Sequence, residues 1–215
     1  MNNNITQRII DFIKKNEIST AEISDALGKK GLFTDSYPLF ENTHIVGHVF
    51  YVSAYGDSNW PIHYSIVNIP ENYIVLIENI DCEKALFGEI VSKYIISTRK
   101  AAAIVTNGSI RDIRDIKNAK LPVWFKSVNP VGCFNSKPIY CDETEEFVKK
   151  RKIILAGSIA ICDDNGVIVV YKKNLTPEFL EKLRFIKQQE EKWKECVFEK
   201  TWSTYETICL KRYDK

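Results

Sequence analysis

The chain has 215 residues, of which 45% are hydrophobic and 27% are charged. That hydrophobic fraction is enough to bury a full core, and we expect one folded domain over residues 1–215. The 30 basic and 28 acidic residues leave a net charge of +2, which gives no sign of nucleic-acid or membrane binding. The apolar runs are far shorter than a membrane-spanning helix, and no signal-peptide pattern is present. The 6 cysteines show no CxxC spacing, so we expect reduced thiols and a cytoplasmic protein.

The first part of the chain predicts two helices followed by alternating strands and helices. Ser19 and Glu22 have the spacing of a capping box, which indicates a helix that runs through Leu27. In chain order the patterns predict a helix over Ile5–Lys15, a strand over Ile45–Ala54, a short helix over Trp60–Val67, a strand over Tyr73–Glu78, a helix over Ala85–Thr98, a strand over Ala101–Val105, a helix over Arg111–Asn118 and a strand over Pro122–Lys126. This alternation indicates an α/β core with parallel pairing.

The remainder predicts a hairpin and a long helix. Strands over Ile153–Ala160 and Val167–Tyr171 flank the Asp163–Gly166 sequence, which is typical of a tight turn. Thr176 and Pro177 indicate the start of an amphipathic helix that reaches about Phe198. The charged segment 142–152 is a solvated helix face or an exposed loop. The aromatic extension 199–215 is expected to pack on the domain or on a neighbouring subunit.

Two short segments have residue types that suit a binding site. Gly88, Glu89, Ile90 and Val91 lie near the start of a predicted helix, where free N–H groups bind anions, although any glycine near a helix start gives this signal.

Arg111 and Asp112 follow a predicted buried strand, at the sheet edge where ligands of α/β proteins bind. Arginine binds a carboxylate or an oxyanion, and aspartate binds a hard cation such as Mg²⁺. The structural alternative is that Asp112 caps its helix while Arg111 pairs with a nearby glutamate. Cys133 and Cys162 have no evident base beside them and are interpreted as buried thiols.

Five segments taken together resemble the RraA-like family, over about residues 19–195. They are Ile23–Leu27, Gly88–Val91, Asn107–Asp112, Leu121–Trp124 and Asp163–Val170. The family contains metal-dependent pyruvate aldolases that act on 4-hydroxy-4-methyl-2-oxoglutarate and decarboxylate oxaloacetate, and it contains the regulator of ribonuclease E activity. The resemblance implies an α/β fold of the swivelling β/β/α type with a long C-terminal helix, assembled as a homotrimer or hexamer with active sites between subunits.

The resemblance also implies roles for particular residues. The amides of Gly88 to Val91 would hold the carboxylate of a small keto-acid substrate, and Arg111 would contact its keto oxygen. Asp112 would bind Mg²⁺ or Mn²⁺, and Glu89 would bind water on the metal. Glu190 or Glu191 of a neighbouring subunit would complete the metal shell, and His63 would make a minor substrate contact.

The expected function is therefore that of a divalent-metal-dependent lyase that releases pyruvate by retro-aldol cleavage or by decarboxylation of oxaloacetate. Two alternatives stay open, a non-catalytic protein-binding regulator and a lyase or isomerase for a different, sugar-derived keto acid. Asp112 favours the enzyme, because the regulator has lost this carboxylate. The sequence departs from the aldolases at Glu89, where they have aspartate, and in the Lys- and Glu-rich segment 133–152.

Overall fold

The computed structural model describes residues 2–214. In chain order its helices are α1 (Asn2–Asn16), α2 (Thr20–Ala26), α3 (Trp60–Ser65), α4 (Glu89–Lys93), α5 (Ile113–Asn118), α6 (Asp142–Leu155) and α7 (Pro177–Lys194). Its strands are β1 (Leu32–Thr34), β2 (Tyr37–Pro38), β3 (Ile45–Tyr55), β4 (Ile74–Ile80), β5 (Ala85–Phe87), β6 (Ala103–Thr106), β7 (Ser109–Ile110), β8 (Val123–Phe125), β9 (Ser127–Val128), β10 (Ile159–Asp163) and β11 (Gly166–Val170). No helix within this range is long and apolar enough to span a membrane.

The main sheet has the strand order β1-β11-β10-β3-β4-β6-β8-β2. Strands β3, β4, β6 and β8 are parallel, whereas the pairs that involve the other four strands are antiparallel. Because β1 and β2 are neighbours in the chain but lie at opposite ends of this order, the sheet curls. The mixed α/β fold with a parallel core is therefore confirmed.

A second, smaller sheet positions the candidate site. It contains β5, β7 and β9, which pair in parallel in that order. Each of these strands follows a parallel strand of the main sheet, so the chain repeats a unit of a long strand and a short strand, with helices α4 and α5 after the first two units. The repeat places the segments that follow β5 and β7 next to each other.

Two sequence predictions are wrong at their boundaries. The helix predicted over Ala85–Thr98 begins only at Glu89 and continues as a π-helical turn over Tyr94–Thr98. Ala85–Phe87 is instead strand β5, because its three buried side chains pair with β7 and pack in the core. A three-residue apolar run has no periodicity that separates a strand from a helix.

The strand predicted over Ile153–Ala160 is also wrong in its first half. Ile153 and Ile154 belong to the end of α6, and both are exposed. The chain then turns at Gly157, which has φ +73°, and β10 begins at Ile159. The β-branched isoleucines favoured a strand in the sequence, but the helix that starts at Asp142 extends through them.

The helix starts predicted from the caps at Ser19 and Thr176 and the hairpin turn are confirmed. Ser19 and Glu22 form the capping box of α2, and the Thr176 side chain accepts a hydrogen bond from the Phe179 N–H at 3.3 Å. Strands β10 and β11 pair around the predicted turn. The described part of the extension after residue 198 packs back on the end of α7, where Trp193 Nε1 donates to Tyr213 Oη at 3.0 Å.

Candidate active site

Three segments meet at the end of the small sheet and enclose a cavity of about 240 Å³. The first is Gly88 after β5, and the second is Arg111 with Asp112 after β7. The third contains Gly132, which lies opposite Ala85 in a parallel bridge. Two backbone hydrogen bonds hold this third segment in place. The Ala85 N–H donates to Val131 O at 2.8 Å, and the Cys133 N–H donates to Ala85 O at 3.0 Å.

Most of the residues predicted for the site line this cavity, namely His63, Gly88, Ile90, Val91, Arg111 and Asp112. Glu89 lies beside them. Its N–H donates to Asp112 Oδ2 at 3.2 Å, and its carboxylate forms an ion pair with Lys93. The fold therefore brings together the helix-start segment and the Arg-Asp pair, which are more than twenty residues apart in the chain.

The backbone at Asp112 directs its side chain toward Gly88 instead of toward its own helix. Asp112 has a left-handed φ of 59° and precedes α5, yet its side chain makes no capping hydrogen bond. A non-glycine residue in this region costs on the order of 1 kcal/mol. Arg111 has Asp112 as its carboxylate partner, with Nε 3.8 Å from Oδ2. The alternative in which Asp112 caps its helix and Arg111 pairs with a glutamate is therefore wrong.

Two glycines make room for these charged side chains. A Cβ on Gly88 would overlap Asp112 Oδ2, and a Cβ on Gly132 would lie 2.6 Å from Arg111 Nη1. Both of these contacts would be shorter than the van der Waals distance between non-bonded atoms. The Arg111 guanidinium and the Asp112 carboxylate therefore sit against bare backbone, and any larger residue at either glycine would displace them.

The start of α4 supplies backbone donors to the same cavity. The N–H groups of Ile90 and Val91 lie in the first turn, where they have no acceptor within the helix, and both residues line the cavity. The Gly88 carbonyl is occupied by the Ser92 N–H at 3.1 Å and the Ser92 hydroxyl at 2.9 Å, which fixes the turn. Two N–H groups without an acceptor in the helix, beside an arginine, are suited to bind a carboxylate.

Sequence reasoning missed several cavity residues as site residues, among them Asn59, Asn135 and Gly132. Asn59 precedes α3, is 9% exposed, and donates from Nδ2 to Leu86 O at 3.2 Å. These residues reach the cavity through long-range bridges such as Ser58 to Phe134. Apart from the glycine in the Pro-Val-Gly sequence of residues 130–132, no local pattern in the sequence indicates that these residues lie at the cavity.

Cys133 also lines the cavity, and its Sγ lies 3.1 Å from that of Cys82. Burial and the neighbouring Cys82 raise the pKa of the Cys133 thiol well above its ordinary value, and burial raises the pKa of the Cys82 thiol. Both sulfurs are therefore protonated near neutral pH. The interpretation as a buried thiol is therefore confirmed for Cys162, whereas Cys133 is only partly buried because it faces the cavity.

The acidic residues at the cavity suit a hydrated divalent cation. The Asp112 side chain is 43% exposed, and Glu89, whose N–H donates to Asp112 Oδ2, pairs its carboxylate with Lys93. Within residues 2–214 no three His, Cys, Asp or Glu side chains cluster as a metal cage. Mg²⁺ keeps several waters and binds proteins through one or two carboxylates, so this pair fits it, whereas zinc needs three or four protein ligands.

Glu190 and Glu191 do not reach this cavity within one chain. Glu190 lies on α7 near α2, where burial and the Glu22 carboxylate raise its pKa, and Glu191 is exposed. Their predicted role required a neighbouring subunit, so it stays a prediction.

The structure is that of an α/β protein with two sheets. It has a curled mixed sheet, a small parallel sheet, and a cavity at the end of the small sheet that contains Arg111 and Asp112. Residues 20–169 match the RraA-like family model, described as Aldolase/RraA. The chain belongs to the RraA-like family.

Two relatives are similar in sequence over most of their length. The chain is 30% identical over 166 residues, 74% of this chain and 76% of the relative, to the uncharacterized protein MJ0644 of Methanocaldococcus jannaschii. It is 30% identical over 178 residues, 78% of this chain and 80% of the relative, to a protein of Halalkalibacterium halodurans named "Putative 4-hydroxy-4-methyl-2-oxoglutarate aldolase".

Solved structures share the fold at lower identity. An uncharacterized protein from Pseudomonas syringae pv. tomato str. DC3000 matches with a TM-score of 0.68 and 23% identity, over 92% of this chain and 94% of that one. Streptomyces coelicolor RraAS2, described as an unusual member of the RNase ES inhibitor RraA protein family, matches with a TM-score of 0.66 and 16% identity, over 86% of this chain and 94% of that one. The RraA fold predicted from the sequence is thereby confirmed.

Proposed function

We propose that this protein is a divalent-metal-dependent lyase that forms pyruvate, by retro-aldol cleavage of a 4-hydroxy-2-oxo acid or by decarboxylation of oxaloacetate. The observation that carries the proposal is the placement of Arg111 and Asp112 against Gly88 and Gly132, beside the free N–H groups of α4. The aldolase name of the Halalkalibacterium halodurans relative supports the same class of reaction.

In both proposed reactions the negative charge develops on the same atom, the oxygen on C2 of the substrate. In the retro-aldol reaction the C3–C4 bond breaks, its electron pair becomes the enolate of pyruvate, and the C4 hydroxyl loses its proton as C4 becomes a carbonyl. The enolate then takes up a proton at C3. In decarboxylation the C4 carboxylate leaves as carbon dioxide and forms the same enolate. Both reactions therefore need a site that stabilises the oxygen on C2.

The residues of the chain divide this work. The N–H groups of Ile90 and Val91 hold the substrate carboxylate, and the Arg111 guanidinium donates to the C2 oxygen, where it stabilises the charge that develops. Asp112 would hold Mg²⁺ or Mn²⁺ with Glu89 at its hydration shell, and the bound cation would supply Lewis-acid stabilisation of the same charge. No lysine lines the described cavity, so the residues present do not offer a Schiff base.

A homotrimer or hexamer belongs to the proposal, with Glu190 or Glu191 of one subunit completing the site of the next. The second candidate function is a non-catalytic regulator, which the shared fold with Streptomyces coelicolor RraAS2 favours. The retained Asp112 carboxylate, exposed and free of a capping role, favours the enzyme.

The test is pyruvate release from oxaloacetate and from a panel of 4-hydroxy-2-oxo acids, with Mg²⁺, Mn²⁺ or EDTA. We expect metal-dependent release by the wild-type protein and loss in Asp112→Ala. The matched control is Asp115→Ala, which removes an exposed carboxylate one helical turn away, outside the cavity. Equal silence of wild type and Asp112→Ala across the panel would contradict the lyase and favour the regulator.

A further inference from the structure

The cavity wall away from the proposed carboxylate site has almost no positive charge. Among the residues that line the described cavity, Arg111 alone is an arginine or lysine. Two nearby lysines have carboxylate partners, because Lys93 pairs with Glu89 and Lys84 Nζ lies 2.8 Å from Asp57 Oδ2. If Arg111 serves the reacting end of the substrate, no lysine or arginine among the residues that line the described cavity remains for a second carboxylate.

The same wall is rich in hydrogen-bonding groups other than lysine and arginine. Asn59, His63, Cys133 and Asn135 contribute amides, an imidazole and a thiol. Asn59 and His63 lie one helical turn apart, with the His63 N–H 3.2 Å from Asn59 O. Such groups bind hydroxyls and carbonyls well, whereas a carboxylate needs a charged donor to repay its dehydration.

Asn59 contributes an uncharged amide to this wall. Its Nδ2 faces the Leu86 carbonyl, so the amide orientation is fixed and Oδ1 points the other way. That buried Oδ1 has no hydrogen-bond partner within the described chain. An uncharged amide at this position gives a second carboxylate no charged donor.

We infer that the substrate is a 4-hydroxy-2-oxo acid with one carboxylate and an uncharged tail, which the cleavage releases as a neutral aldehyde. This inference rests on the proposed function and narrows it, because oxaloacetate and 4-hydroxy-4-methyl-2-oxoglutarate carry a second carboxylate. The cavity of about 240 Å³ suits so small a molecule, since it is below the ~300 Å³ at which drug-sized ligand pockets begin.

Two matched pairs of acids test the charge of the tail. 4-Hydroxy-2-oxopentanoate and 4-hydroxy-2-oxoglutarate differ only by a methyl group in place of a carboxylate, and pyruvate release gives their kcat/KM. 2-Oxopentanoate and 2-oxoglutarate differ in the same way but lack the 4-hydroxyl that retro-aldol cleavage needs, so calorimetry with Mg²⁺ gives their Kd. We expect the methyl-ended acid to be preferred by about tenfold or more in both pairs, as for an ion buried without a partner.

A variant is expected to weaken this preference. Asn135→Lys adds a cation to the wall at an exposed position, and we expect it to move the ratio of the two acids toward the dicarboxylate by ~fivefold or more. Ser136→Lys places the same charge one residue further on, outside the lining residues, and is expected to keep the wild-type ratio.

The outcomes separate the two proposals. Tighter binding of 2-oxoglutarate than of 2-oxopentanoate by the wild type, or binding of neither acid, would overturn the inference. An equal shift in Asn135→Lys and Ser136→Lys would also overturn the role of the wall. A preserved binding preference without any pyruvate release would support the acid class and contradict the lyase.

Discussion

Two aspartates of this protein, each beside a turn at a sheet edge, have opposite surroundings. Asp163 is 8% exposed, and its carboxylate accepts hydrogen bonds from Thr20 N at 2.7 Å, Thr20 Oγ1 at 2.7 Å and Asn165 N at 2.8 Å. Asp112 is exposed and accepts one hydrogen bond, from Glu89 N at 3.2 Å.

The difference separates a structural carboxylate from one that is available for a ligand. Asp163 joins α2 to the hairpin, and the protein itself satisfies its oxygens. Asp112 occupies a strained backbone conformation yet keeps acceptor capacity free toward the cavity. A residue held at an energetic cost without full partners is a candidate for function.

The largest expected effects come from changing each of these two aspartates to asparagine. One change is expected to lower activity, and the other is expected to lower stability. We expect Asp112→Asn to lower kcat by ~100-fold or more, because it removes the charge that would hold the metal, while leaving thermal stability nearly unchanged. Asp163→Asn is expected to lower the unfolding free energy by about 2 kcal/mol, because it weakens several hydrogen bonds to a buried charge, without changing kcat per folded molecule. Thermal unfolding and metal-dependent pyruvate release check both, and a similar profile for the two variants would contradict the distinction.

Gly132 belongs to the same site as Asp112, because its backbone lies against the Arg111 guanidinium. Gly132→Ala is expected to push the guanidinium away and lower kcat by about tenfold, which is about 1.4 kcal/mol of transition-state stabilisation. Gly28→Ala is a control for a general loss of stability, because it strains a backbone position with φ +72° far from the cavity residues and is expected to leave kcat unchanged. Equal activity of the Gly132→Ala variant and the wild type would show that Arg111 tolerates displacement.

Mixed subunits test whether α7 completes a neighbouring site. Asp112→Ala and a variant with Glu190→Gln and Glu191→Gln are expected to be inactive alone. If the site lies between subunits, refolding equal amounts of the two together restores ~25% of wild-type activity, because about one interface in four then contains both intact halves. No recovery in a mixed oligomer confirmed by mass spectrometry would remove both glutamates from the site.

The smallest expected effect is on the alkylation rates of the neighbouring thiols of Cys82 and Cys133. Because burial raises the pKa of the Cys82 and Cys133 thiols, iodoacetamide at pH 7.5 is expected to alkylate them more slowly than exposed Cys141 and Cys209. The folded pKa exceeds the ordinary value of 9.0, so the pair stabilises the fold below that pH and loses this contribution above it. Peptide mass spectrometry checks the rates, and faster labelling of Cys133 than of Cys141 would contradict the assignment.

Local patterns were sufficient for much of the fold and for the centre of the site. The caps at Ser19 and Thr176 were readable because they lie within four residues of their partners. Arg111 and Asp112 were identifiable because a polar pair follows a buried strand at the edge where ligands bind. The family resemblance then linked this pair to Gly88, whose contact with Asp112 no local pattern contains.

The missed features depend on contacts between distant segments. Asn59 and Asn135 meet the cavity through the Ser58–Phe134 bridge, and Gly132 through its pairing with Ala85. Strand β5 was mistaken for the start of a helix because its three apolar residues gain their strand identity from β7. Side-chain periodicity carries no information about such pairings.

The most direct test of the account is whether the protein makes the enolate of pyruvate, whichever aldehyde its substrate releases. Pyruvate is incubated in D₂O with Mg²⁺, and proton NMR follows the loss of the methyl signal. The account predicts catalysed exchange by the wild-type protein that EDTA and Asp112→Ala abolish and that Asp115→Ala retains. Methyl exchange no faster than in buffer, by a folded protein supplied with Mg²⁺ or Mn²⁺, would contradict the enolate-stabilising site.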